Sequence, residues 1–269
     1  ACHVLMDLPT SYGTRPLSPF LWTWFSVDWM PIVDIYLLAI LGGGLWLGRG
    51  SAQDRGGRPV RQRRYALIAL ALMAVNYGVR AASHHTAIAR APEVFGERLP
   101  GWCAQSVRPS LTPDRWPRSP ADARPDAAAS RCLVELAAMP AFTSPFAWRL
   151  IAHLSNGYEL RDVDLLAMPE ASAAGTSTSS ARSIRVPNQW TPAVWQAARA
   201  PVAQVFLGFS RFPAARLVAG PDGTSTVHWS DMRFLMGPAD DPREFRAGLF
   251  GATIVVGSDG GVLASRLGP

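Results

Sequence analysis

The 269-residue chain contains no Lys, so all 26 basic side chains are Arg. A total absence of this kind reflects genome composition more than an arginine-specific task. Charged residues are scarce, at 17% against about 25% in ordinary soluble domains. That deficit disfavours a fully solvated surface and favours association with a membrane. The three cysteines, Cys2, Cys103 and Cys132, form no C-x-x-C pair, which excludes a zinc knuckle or a thioredoxin-type site. The chain has no G-x-G-x-x-G after a strand, no P-loop, no H-E-x-x-H and no G-x-S-x-G, so the common nucleotide, zincin and hydrolase-elbow signatures are missing. No solenoid-period repeat is visible.

What is present begins with two apolar runs. Residues 31–48 (PIVDIYLLAILGGGLWLG) and 65–82 (YALIALALMAVNYGVRAA) are near-continuous, and a spanning helix needs roughly 20 residues. Both are expected to cross a membrane, with Arg80 snorkelling to the interface. Gly42-Gly43-Gly44 fits close helix packing better than phosphate binding. Residues 49–64 between the runs hold six Arg and one Asp. By the positive-inside rule this loop is cytoplasmic and both termini are outside. The net charge of +6 thus gathers around the apolar runs rather than on a folded domain, which argues against nucleic-acid binding. Aromatics at Trp22, Trp24, Phe25 and Trp29 precede the first run, as at a membrane interface.

The expected organisation is α+β. Residues 1–90 form a membrane region with helices at about 31–48 and 65–82. Residues 91–132 form an irregular linker. Residues 133–269 form a small extracytoplasmic domain with an antiparallel sheet and one main helix. Three hairpins are expected, turning at Asn156-Gly157, Pro221-Asp222-Gly223 and Ser258-Asp259-Gly260. Thr191-Pro192 opens the helix, predicted to run to Phe209 with Val194, Ala198, Val202, Val205 and Phe209 on one face. Outside the cytoplasm Cys103 and Cys132 can pair; two unpaired small residues are the other reading.

The candidate site lies at the start. His3 and Asp7, four apart, share one face of a helix and suit Zn²⁺ or a similar divalent ion. Two ligands alone do not make a catalytic centre. Asp34, an acid opening an apolar helix, is either a further ligand, a supporting acid or a helix cap. Asp28 reads as structural. His84-His85 reads as a solvated pair, since adjacent helical residues diverge by about 100°. His228 and Asp231 sit an odd number apart in a strand and face opposite sides.

The run HVLMDLPTSYGTRPLSPF followed by FSVDWMPIVDIYLL resembles the YdjM-type family of inner-membrane metal-dependent hydrolases. The matching positions are His3, Asp7, Tyr12, Gly13, Pro19, Phe20, Asp28, Trp29 and Asp34. The segment Ser144–Arg149 and the patch Arg211-Phe212-Pro213 are similar to further parts of that family. The resemblance implies a multi-pass protein of the bacterial inner membrane with a divalent metal as cofactor. It implies His3 and Asp7 as metal ligands, Asp7 and Asp34 as catalytic acids, and Tyr12 and Arg15 as groups that steady an anionic substrate, with a phosphoester or lipid-linked compound suiting a site at the membrane surface. The family's Ala-Pro-Asp-x-Asp-like and His-Arg-x-x-x-His motifs are absent. The chain therefore looks like the C-terminal part of such a hydrolase, expected to be inactive alone. The alternative is a non-catalytic membrane anchor presenting an α+β domain to a protein partner. In either case the lipid bilayer is the expected partner.

Overall fold

The computed structural model describes residues 2–49, 58–107, 114–116, 131–167, 184–188, 190–235 and 250–268. After a short helix α1 (Cys2–Asp7) and strand β1 (Trp24–Ser26) comes a helical hairpin, α2 (Ile35–Gly48) and α3 (Arg58–Ala89). Asp34 sets the start of α2, because its carboxylate accepts the Leu37 N–H at 2.7 Å and satisfies one of the free donors of the first turn. The cap shortens the first apolar run. Its helix has 14 residues, about 21 Å at 1.5 Å per residue, less than the roughly 30 Å of a hydrocarbon core. Among the described residues one helix, Arg61–Ala89, is long and apolar enough to cross a membrane. The two helices approach closely at Gly44, where an added Cβ would lie 3.1 Å from the Ala69 methyl.

Arg80 departs from expectation. It is wholly buried and its Nε lies 2.6 Å from Asp34 Oδ2. An acid is within reach on the neighbouring helix, so the guanidinium pairs inward instead of snorkelling.

The expected linker carries structure of its own: α4 (Ala91–Phe95), β2 (Trp102–Val107) and β3 (Asp114–Trp116). β3 pairs with β1, bringing Trp24 opposite Trp116. Cys103 and Cys132 are joined by a disulfide, with Cα atoms 5.1 Å apart. The bond ties β2 to the entry of β4 (Leu133–Pro140), and β2 runs parallel to β4. β5 (Ala147–Leu154), β6 (Gly157–Asp164) and β7 (Ile184–Pro187) complete a five-stranded sheet ordered β2-β4-β5-β6-β7. It is mixed, not purely antiparallel, because the chain between β2 and β4 is long enough to return to the same end of the sheet.

The first hairpin turns one residue earlier than expected. Leu154 pairs with Gly157, so Ser155-Asn156 form the loop. Gly157 is needed in the strand, where a Cβ would stand 2.5 Å from the Val186 carbonyl oxygen.

A second sheet, ordered β11-β10-β9-β8, is antiparallel throughout. Its strands are β8 (Pro213–Ala219), β9 (Ser225–Asp231), β10 (Gly251–Val256) and β11 (Val262–Leu267). The expected single helix is two: α5 (Pro192–Ala197), capped by Thr191, and α6 (Pro201–Phe209). Pro201 supplies no N–H and pushes Ala200 into an extended conformation (ψ 138°). The break resets the apolar face. Val194, Ala197, Ala203 and Phe206 are buried while Val205 is exposed.

Three cores result. Leu136, Ala138, Trp148, Leu150 and Ala152 pack with Ala87, Ala91 and Phe95 of α3 and α4. Ala137, Met139, Ile151, Tyr158 and Leu160 pack on the other side with Phe212, Ala214 and Met232. Both faces of the sheet are covered, which is why β4 reads as a continuous apolar run rather than an alternation. The third core joins α5 and α6 to Val227, Trp229, Ala252 and Ile254 of the second sheet.

Candidate functional site

α1 does what its spacing predicts: His3 Nε2 and Asp7 Oδ2 lie 3.5 Å apart on one face. Both are open to solvent, the His3 side chain 91% exposed and the Asp7 side chain 40%. The chain then turns at Thr10, whose N–H and hydroxyl both donate to the Asp7 carbonyl. It runs on through bridges between Thr10 and Met30 and between Thr14 and Phe25. The N-terminal arm, residues 8–30, is thus folded on itself before it meets the domain.

Tyr12 and Arg15, expected to meet substrate, have structural neighbours. The Tyr12 ring sits among Trp24, Phe209, Phe234 and Phe250, with centroids 5.2–6.4 Å away. The Arg15 guanidinium lies 4.5 Å from the Trp24 ring and 5.2 Å from Trp22, a cation–π arrangement. Asp34 divides its oxygens between the α2 cap and Arg80. The next polar contact of that helix start is the Tyr36 hydroxyl, which donates to the Thr143 carbonyl at 3.0 Å. The structure therefore brings His3 and Asp7 together, while Tyr12, Arg15 and Asp34 are each engaged in packing or capping.

The densest polar chemistry is a buried seam that joins the arm to the two sheets. Arg211 reaches Asp28 at 2.6 Å, the Ser26 hydroxyl at 3.2 Å and Glu135 at 2.9 Å. All four residues are buried. Asp28 sits in the left-handed region (φ 60°), which Asp tolerates better than most residues. Its other oxygen accepts the Ser26 hydroxyl proton at 3.0 Å. Beside this group Asp231 accepts from the Ser210 hydroxyl at 2.8 Å, from the Arg211 N–H at 3.2 Å and from Arg233 at 2.8 Å. Burial pushes the Asp231 carboxyl upward, but the Arg233 charge and the hydrogen bonds from Arg233 and Ser210 outweigh it and hold the pKa below its ordinary 3.8. Arg233 also donates to the carbonyls of Ser11, Tyr12 and Phe209. A seam this well satisfied fixes the arm in place; its groups are turned toward each other rather than toward a ligand.

Sequence reasoning placed Asp28 among structural residues and noticed the Arg211 patch, but missed Glu135, Asp231 and Arg233 as members of one network. The available signal was Glu135 inside the apolar strand LVELAAMP; Asp231, at the end of the mixed strand STVHWSD, offered no such contrast. His228 Nδ1 lies 3.0 Å from the Thr253 hydroxyl on the neighbouring strand. His84 differs from the solvated pair expected. Its ring packs 5.5 Å from that of Trp148, since α3 continues past the apolar run to lie on the five-stranded sheet.

Among the described residues no group of three or more His, Cys, Asp or Glu side chains is placed to hold a metal ion. His3 and Asp7 supply two donors of the right chemistry, and two do not satisfy a catalytic centre, which takes three protein ligands and an open position. Comparison with protein-family models, with curated proteins and with solved structures gives no match to this chain.

Proposed function

We propose that this chain is a membrane-anchored module that holds an extracytoplasmic α+β domain and its N-terminal arm against the outer face of a bilayer. The observation that carries the reading is the hairpin. α2 has no buried residue, and only 11% of the apolar window of α3 is buried. A core helix of a soluble protein hides such a window; lipid is the solvent that accepts it exposed. Two features support the orientation. The six Arg of residues 49–64, between the two apolar segments, suit the cytoplasmic side. The Cys103–Cys132 disulfide lies at the opposite end of the chain's path, beyond α3, and such bonds persist in oxidising compartments. The 14-residue α2 is accommodated by local thinning of the bilayer or by the apolar residues 31–33 that precede its cap. Reporter fusions after Arg64 and after Pro269 test this arrangement. Opposite signals are expected, and like signals would refute it.

A second reading is that the anchored arm lends two ligands to a metal-dependent hydrolase, as the family resemblance implies. The exposed 3.5 Å pair of His3 and Asp7 favours it. The full chain in detergent is then expected to bind Zn²⁺ weakly, with binding lost in His3→Ala; identical titrations of the two proteins would remove this reading.

A further inference from the structure

The turn end of the helical hairpin holds a groove of about 510 Å³ between α2 and α3. Its walls are apolar, formed by Leu41, Leu45, Leu70 and Met73. Its mouth is polar, with Arg49 and Gln62. The helices come together at Gly44, where a Cβ would lie 3.1 Å from the Ala69 methyl, and both residues line the groove. Gly48 adds no side chain there, and a Cβ placed on it would meet no atom within 4 Å.

The geometry points to a binding site for one anionic phospholipid of the cytoplasmic leaflet. This rests on the membrane reading above. The argument is one of charge and shape together. An acyl chain matches a trough that extends about 16 Å from Gln62 to Met73, at 1.5 Å per residue. A phosphate matches the guanidinium of Arg49, which can give it two parallel N–H bonds. The same end holds the start of α3, whose first turn carries partial positive charge, and Arg61, Arg63 and Arg64 follow in its next residues. These charges favour an anionic over a zwitterionic headgroup by long-range attraction, while the Arg49 contact fixes the position. Basic pockets between membrane helices on the cytoplasmic side are a general setting for such headgroups. Arg49 also stands at the negatively polarised end of α2, where its backbone N–H caps Leu45 and Trp46.

The test is native mass spectrometry of the full chain, released from micelles containing equal amounts of phosphatidylglycerol and phosphatidylcholine with the same acyl chains. One retained phosphatidylglycerol per chain is expected. Arg49→Gln should lower its retention about tenfold, in keeping with the loss of a charge-assisted hydrogen bond. Gly48→Leu, which has room on the backbone side, should lower retention of both lipids by narrowing the trough. Equal retention of the two lipids by the natural chain, or retention unchanged by Arg49→Gln, overturns the site. Alkaline carbonate extraction of cell membranes is run in parallel. Release of the chain there overturns the membrane reading itself, whereas a chain that stays in the pellet and still shows no lipid preference overturns the groove alone.

Discussion

The helical hairpin and the two-sheet domain belong to one chain but obey opposite rules. In α2, IYLLAILGGGLWLG, no side chain is buried and Trp46 is 74% exposed. In β4, LVELAAMP, nearly every side chain is buried, including the carboxylate of Glu135. The hairpin shows apolar groups outward and the domain hides charged groups inward. On the membrane reading proposed above, the difference is one of solvent. The domain must answer its internal charges from its own groups, and for Asp28, Glu135 and Asp231 it does so through Arg211 and Arg233. The hairpin turns apolar side chains outward and places an inward ion pair, Asp34 with Arg80, at the junction where the two regions meet.

Removing the cation of the seam should break the comparison most sharply. Arg211→Met leaves Asp28 and Glu135 buried without it, and loss of one partner of a buried pair costs about 3–5 kcal/mol. Thermal melts in detergent should show the near-ultraviolet signal of the domain lost early while the hairpin keeps its helicity. Simultaneous melting of the two would mean that they are not separate in this sense.

Replacing both Cys103 and Cys132 by Ser should come next. The bridge closes a loop with a sequence separation of 29, worth about 3–4 kcal/mol in the chain-entropy model. The loss is expected in the domain only, read from the denaturant midpoint of a Trp fluorescence transition. An unchanged midpoint would show that β2 and β3 add little to the domain.

Acid should act on the domain in a defined window. Asp231 has a folded pKa below its ordinary 3.8, so its contribution to stability is complete above that value and disappears as pH falls toward the depressed one. Unfolding free energy measured from pH 5 downward should decline. In Asp231→Asn that part of the slope should vanish, with lower stability already at pH 7. A slope unaltered by the substitution would place the acid sensitivity elsewhere.

The smallest effect sharpens the comparison from the other side. Leu45→Gln or Trp46→Gln in α2 should change domain stability by no more than about 0.5 kcal/mol. Either should weaken retention in the membrane pellet after carbonate washing. A domain destabilised by these exposed changes would argue that the hairpin packs against protein.

Local signals carried much of this architecture in the sequence. The three hairpins, the Thr191 cap and the apolar segments all follow from turn chemistry and periodicity, which act over a few residues. What escaped depends on distant partners. Pro201 breaks α5 from α6 by a local rule that the shared apolar spacing of Val202 and Phe209 concealed. The parallel pairing of β2 with β4 has no local signature, since Pro- and Arg-rich sequence gives no hint of a strand order. At the candidate site, the nearness of His3 and Asp7 was legible because it is set by one helical turn. The packing of Tyr12 and the pairing of Asp34 with Arg80 were not, because Phe209, Phe250 and Arg80 lie far along the chain; Arg15 meets nearby Trp22 and Trp24, which its spacing alone does not reveal. The resemblance that singled these residues out could name them without saying what they touch.

Arg233 donates to the carbonyl of Ser11, 222 residues earlier, and Arg211 reaches Asp28 across 183. A ribosome at about 5–20 residues per second needs on the order of ten seconds or more to deliver both ends of such a contact. Throughout that interval the arm has emerged but its partners have not. It must wait beside the helical hairpin with Ser26 and Asp28 hydrated and its aromatic rings uncovered. Docking of the arm is therefore a closing event of biogenesis, and a nascent chain halted before residue 211 should leave the arm open to proteases that cannot cut the finished protein.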